Sequence, residues 1–249
     1  FYSLQVQKTN QVVGLVEPIR TTEKKKKKGY SASRREKRKE ERCDDQTILE
    51  IFQQSLSASK SAPHLSPQEW NAKLREITES KSKVVILDCR NSYESNIGHF
   101  RVDKATTVLT NTRKYSDLPK VLLHQKEKLQ DASHIFMYCT GGVRCERASS
   151  FLQTMLNDGN VTNTEIYQLH GGIQRYLEQP ESDLYKGKNF VFDPRRTDPN
   201  HNGTVGRCLV CNNPHDDYDN GQSVCSEREA RCCKCRILIL VCDECRTCT

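Results

Sequence analysis

Nine residues, Tyr138 to Glu146 (YCTGGVRCE), place a cysteine directly behind an apolar run, then a glycine pair, an arginine and a second cysteine. A cysteine at the end of a buried strand sits where open α/β sheets place their ligands. The glycines let the loop turn its N–H groups inward, and the helix that follows adds its positive end. Such surroundings favour the thiolate, the form that attacks. Cys139 is therefore read as a nucleophile in preference to a packed thiol or a metal ligand. Thr140, Gly141, Gly142 and Val143 form its anion- or persulfide-binding loop, and Arg144 is the cation beside it. Cys145, in the first turn of the helix, has two readings: a buried packing residue, or a thiol that resolves an oxidised or persulfidated Cys139. Loop length narrows the chemistry. Cysteine-dependent phosphatases close their cradle with an arginine six positions after the cysteine, whereas here the arginine comes at the fifth. The shorter ring suits a smaller guest such as an outer sulfur.

A second group of thiols lies near the C-terminus, where nine of the thirteen cysteines fall between Cys208 and Cys248. The pairs Cys208-x-x-Cys211 and Cys242-x-x-Cys245 each supply two soft ligands, and four such ligands make the tetrahedron that zinc prefers. Cys225, Cys232, Cys235 and Cys248 could form a second site, with Cys233 as an alternative to its neighbours. Such a short tail buries little core, so metal is expected to fold it. An all-cysteine shell leaves no open position, so the metal is structural. No histidine has the spacing of a cross-brace ubiquitin ligase.

Composition bounds what surrounds these groups. Charged residues make up 29% against 35% hydrophobic, so polar extensions to a packed domain are expected. The net charge of +7 is smaller than the surplus in one tract, eleven Lys/Arg against three Glu between Lys24 and Arg42. The basic character thus belongs to that tract, read as a solvated linker with RNA contact or nuclear import as added roles. No run approaches the ~18 apolar residues of a membrane span. CxxC pairs and an odd cysteine count suit a reducing compartment, so the expected location is cytoplasmic, or nuclear through the basic tract. The chain opens on Phe1 and is expected to be part of a longer one.

The elements that must position Cys139 follow from periodicity. Residues 1–20 alternate like a strand at the end of a truncated domain. Residues 21–62 form the basic, largely disordered linker, with one short helix at 46–57 carrying Ile48, Phe52 and Leu56. The main domain spans 63–180. Ser66, Pro67 and Glu69 make a capping box that opens a helix to about Glu79, with Trp70, Leu74 and Ile77 on one face. Val84–Leu87 and Ile135–Tyr138 are short apolar runs of the kind buried in a parallel sheet. A helix follows Cys139 with Ala148, Phe151, Leu152 and Met155 inward, stopping at 157–159. Glu165–Leu169 is a further strand, ahead of a Gly171-Gly172 turn and a last helix. Residues 181–249 are connector and cysteine-rich tail. Alternating strand and helix give an α/β class with a parallel sheet flanked by helices.

Three stretches carry a resemblance. LDCRNSYESNIGHF (87–100), YCTGGVRCERAS (138–149) and YQLHGGIQRYLE (167–178) resemble a rhodanese domain, and CTGGVRCE is similar to the subfamily of bacterial tRNA uridine hydroxylases. The likeness runs from about His64 to Asp193 and resumes in the tail. It implies a five-stranded rhodanese-like parallel sheet, Cys139 as essential nucleophile, and zinc with no organic cofactor. The subfamily's reaction is oxygen-dependent hydroxylation of the wobble uridine of tRNA, making tRNA the partner. Rhodaneses at large move sulfur from a donor such as thiosulfate or a persulfide. Asp88 and Arg90 are read as an ion pair shaping the pocket edge, Glu94 and His99 as structural, and Cys89 as packed. A third reading is a binding module in which Cys139 is idle; inactive rhodanese domains commonly lack that cysteine, and this one keeps it.

Overall fold

The structure is a computed structural model and describes residues 32–58, 61–80, 82–157, 163–192, 197–198, 202–218 and 230–246. The elements in chain order are α1 (Ala32–Ala58), β1 (His64–Leu65), α2 (Pro67–Glu79), β2 (Val84–Asp88), α3 (Ser92–Ser95), β3 (Gly98–Phe100) and β4 (Ala105–Leu109). A 3₁₀ turn (Tyr115–Asp117) leads to α4 (Leu118–His124), α5 (Lys126–Gln130), β5 (His134–Tyr138), α6 (Val143–Leu156), β6 (Glu165–Leu169), α7 (Gly172–Leu177), β7 (Tyr185–Gly187) and α8 (Asp243–Arg246).

Five strands form one sheet in the order β1-β6-β5-β2-β4, every pairing parallel. β3 and β7 make a separate antiparallel pair. The all-apolar runs of β2 and β5 sit at the centre because both their faces are covered. Period-two alternation divides their side chains between two cores. Val85, Leu87, Ile135 and Met137 face α6, with Ala148, Phe151, Leu152 and Met155. Val84, Ile86, Phe136 and Tyr138 face the opposite core of Trp70, Leu74, Phe100 and Tyr176. Cys139 continues the Ile135–Met137 face and joins the α6 core.

The capping box at α2 forms as its spacing predicts: Glu69 N–H donates to the Ser66 hydroxyl, and Ser66 N–H to the Glu69 carboxylate. α1 departs from its expected bounds, beginning at Ala32 within the charged tract. Arg, Lys and Glu are strong helix formers, so the same composition that reads as solvated linker also supports helix. Its covered face is Ile48, Ile51 and Phe52, against α6 and α4, while Leu56 is exposed. The strand expected in residues 1–20 lies outside the described residues. β1, β3, β4 and β7 carry no strong signal of their own: two or three residues each in β1, β3 and β7, and a half-exposed edge in β4. Among the described residues, no helix is long and apolar enough to cross a membrane.

Candidate active site

Cys139 leaves the C-terminal end of β5 and is 1% exposed. The loop after it is shaped by its neighbour α7. The N–H groups of Ile173 and Gln174 donate to the carbonyls of Cys139 and Thr140, 3.0 Å each. With those carbonyls turned toward α7, the Gly142 N–H donates to Cys139 Sγ at 3.1 Å. Two glycines make this approach feasible. Gly142 adopts φ +84° where α6 begins, and Gly172 has φ +65°, with a Cβ there falling 2.5 Å from both carbonyl oxygens.

The Cys139 thiol is pulled down to about 6. The Cys145 thiol, hydrogen-bonding to it, is the largest cause; burial opposes, and the Arg144 charge with the Arg144 and Cys145 amides adds to the lowering. Cys145, wholly buried in the α6 core, is pushed well above the thiol range by burial and by the neighbouring sulfurs of Cys139 and Cys89. Cys145 therefore stays protonated and donates, while Cys139 ionises. The three thiols form one buried chain, and Cys89 is packed as its position in the sequence suggests.

Arg144, the cation expected beside the loop, is held by a buried carboxylate. Its guanidinium forks onto Glu94, Nη1 to Oε2 at 2.7 Å and Nη2 to Oε1 at 2.6 Å, and Nη2 also donates to Thr140 Oγ1 at 3.1 Å. The Thr140 hydroxyl donates in turn to Glu94. Glu94 is wholly buried and accepts the Asn91 N–H at the start of α3. Burial works against the Arg144 charge, and Glu94 more than offsets it, so the guanidinium stays ionised. The Tyr115 hydroxyl holds the Arg144 carbonyl at 2.6 Å. Glu94 was expected to be structural, and holding Arg144 is the structural part it plays. The Asn91-x-x-Glu94 capping spacing marks the carboxylate's place, but nothing local pairs it with an arginine fifty residues on.

Asp88 and Arg90 form the expected ion pair, fully buried rather than at the edge of a pocket. Arg90 Nη2 and Nε bind Asp88 at 2.7 and 2.9 Å, Nη2 also reaches the Gly98 carbonyl at 2.6 Å, and the Tyr138 hydroxyl donates to Asp88. The pair ties β2 and β5 to β3 beneath the sheet's top. His99 hydrogen-bonds to the Ser95 carbonyl through Nδ1 and accepts from Arg101 at Nε2, which makes Nδ1 the protonated nitrogen. Burial pushes its imidazole down, consistent with a neutral ring.

In the tail, the sulfurs of Cys208, Cys211, Cys242 and Cys245 all lie within 4.8 Å of one another, a cluster that could hold a metal ion. The Cys208 turn has the Cys208 N–H on the Asn213 carbonyl (2.8 Å), the Asn212 N–H on the Cys208 carbonyl (2.9 Å), φ +62° at Asn212 and an Arg207–Pro214 bridge. The Cys232 turn repeats it: Cys232 N–H to Ile237 (2.9 Å), Arg236 N–H to Cys232 (2.8 Å), φ +61° at Arg236 and an Arg231–Leu238 bridge. Cys232 and Cys235 are thus presented as Cys208 and Cys211 are. Cys225 and Cys248, the other members of the expected second set, lie outside the described residues. Tyr218 docks the tail, its hydroxyl on the Tyr93 carbonyl at 2.7 Å, within a core of Ile97, Phe190, Leu238 and Leu240.

Residues 71–179 match the Rhodanese-like domain family and residues 186–249 the Rhodanase C-terminal family. The chain is 42% identical over 192 residues to Rhodanese-like domain-containing protein 6 of Arabidopsis thaliana, covering 76% of this chain and 31% of that protein. It is 37% identical over 194 residues to the tRNA uridine(34) hydroxylase of Chlamydia pneumoniae, covering 75% and 52% respectively. The chain therefore spans a third to a half of the length of these curated relatives. A Saccharomyces cerevisiae homologue of single-domain rhodanese and the Cdc25 phosphatase catalytic domain superposes with TM-score 0.37 at 18% identity, over 50% of this chain and 86% of that one.

Proposed function

The chain carries a rhodanese-like domain followed by a rhodanase C-terminal region, and from that premise we propose that it is a cysteine-dependent enzyme acting on tRNA, hydroxylating a wobble uridine. The observation that carries the enzyme reading is Cys139: a buried sulfur accepting the Gly142 amide beside Arg144, with its thiol lowered to about 6. At neutral pH that sulfur is mostly thiolate, an unfavourable state for a residue with only a packing role. Similarity to the Chlamydia pneumoniae tRNA uridine(34) hydroxylase supports tRNA as the substrate.

Each residue then has a task. Cys139 is the reacting group. The loop amides and Arg144 hold its negative charge, Glu94 and Thr140 fix Arg144, and Cys145 donates to the thiolate. The four tail thiols fit zinc, a soft ion that takes four cysteines in a closed tetrahedron. Bound there, it would cross-link the tail and hold it against Tyr93 without taking part in the reaction.

A second reading is sulfur transfer, favoured by the small amide-lined loop at the thiolate. The Cys139 thiolate would attack the outer sulfur of thiosulfate, its S–S bond would break with sulfite leaving, and a Cys139 persulfide would remain. One experiment separates the two. Purified protein is incubated with unmodified tRNA in air with a dithiol, which supplies the two electrons that take the second oxygen atom of O2 to water, and, separately, with thiosulfate. A uridine one oxygen heavier in the nucleoside digest, absent with Cys139→Ser, is the expected result. Sulfite release with unaltered tRNA would replace hydroxylation by sulfur transfer.

A further inference from the structure

Beside the tail's second cysteine turn lies a cavity of about 260 Å³ lined by Tyr93, Phe190, Phe192, Arg113, Arg231 and Arg236 among others. Three of the lining residues are arginines and none is acidic. The aromatic rings form a row, with Tyr93 to Phe190 at 5.1 Å and Phe190 to Phe192 at 5.3 Å between centroids. The first two rings are anchored in the tail's core, but Phe192 is 64% exposed. Its ring stands 5.9 Å from the guanidinium carbon of Arg144. Phe192 thus packs one side against Phe190 and Arg144 and leaves most of its ring open to solvent, one side chain away from the Cys139 loop.

We infer that this cavity seats a nucleotide flanking the target uridine in a single-stranded RNA loop, its base stacked on Phe192 and its phosphates on the arginines. The inference rests on tRNA being the substrate. Single-stranded RNA is recognised by splayed bases stacking on aromatic rings and guanidinium planes, with cations tracking the phosphates. The cavity offers both in about 260 Å³. Arg231 is positioned from below, its Nη1 donating to the Arg236 carbonyl at 3.0 Å. Arg113 and Arg236 are exposed at the rim. The second cysteine turn, which sets Arg236 at φ +61°, is thereby part of the RNA surface.

The test is fluorescence anisotropy of a labelled RNA hairpin carrying an anticodon loop. Stacking on one aromatic contributes about 1–3 kcal/mol per base, so Phe192→Ala should weaken binding roughly five- to 150-fold, and Phe192→Tyr should restore most of it. Arg113→Gln and Arg236→Gln should each weaken binding and reduce the salt slope by about 0.7. If the wild type binds the hairpin and Phe192→Ala binds equally with the same slope, the cavity is not the RNA site, while the tRNA reading stands. If the wild type binds no RNA, both fall. Binding of a polyglutamate peptide as tight as that of the hairpin, with the same loss in Phe192→Ala, would overturn the RNA assignment.

Discussion

Burial alone would raise the Cys139 thiol, since the interior disfavours a thiolate; its lowering to about 6 comes first from the neighbouring thiol of Cys145. The sign is testable. Cys139 is ionised above about pH 6 and loses its charge below it, so the 240 nm thiolate absorbance lost in Cys139→Ser should titrate with a midpoint near 6. A hydrogen bond to a charged group contributes about 1.5–3 kcal/mol, or roughly one to two pH units. Cys145→Ala should therefore move the midpoint up by that amount, while Cys145→Ser, which keeps a donor, should move it less. An unmoved midpoint in Cys145→Ala would return Cys145 to a packing residue. At this scale the sequence showed Cys139 and Arg144, because strand, thiol, glycines and arginine are contiguous. It concealed the pairing of Glu94 with Arg144, because the two stand in α3 and α6, fifty positions apart. It also placed Asp88 and Arg90 at a pocket edge, since a sequence shows an ion pair but not the aromatic core built over it.

At the scale of elements, the loop is held open by α7 as much as by its own glycines. Gly172→Ala would set a Cβ against two backbone oxygens at 2.5 Å in a left-handed conformation, whereas Gly141 has open space around it. Strain of this kind costs on the order of 1–3 kcal/mol, so Gly172→Ala should lower the thermal unfolding midpoint by several degrees and raise the Cys139 titration midpoint. Gly141→Ala should leave the unfolding midpoint in place. The repeated cysteine turn gives a second prediction: metal analysis of the purified protein should find two zinc ions per chain, one lost in Cys208→Ser and the other in Cys232→Ser. A single zinc unaffected by Cys232→Ser would confine the metal to the first set. α2 and α6 were legible because capping boxes and apolar stripes are local. The short strands were not, because β1 and β7 exist only through their partners in the sheet.

At the scale of the molecule, the sheet buries one core on each face and delivers Cys139 to the edge where α6, α7 and the tail converge. The α/β class follows from the alternation of apolar runs. The placement of the tail beside the loop does not, because the contacts that set it, Tyr218 on Tyr93 and Phe190 among Leu238 and Leu240, join residues far apart in sequence. The most direct test is mass spectrometry of tRNA nucleosides from cells lacking this protein, complemented with wild type or with Cys139→Ser. The account predicts that an oxygen-bearing wobble uridine disappears in the deletion and returns with the wild type alone. An unchanged nucleoside profile would contradict it.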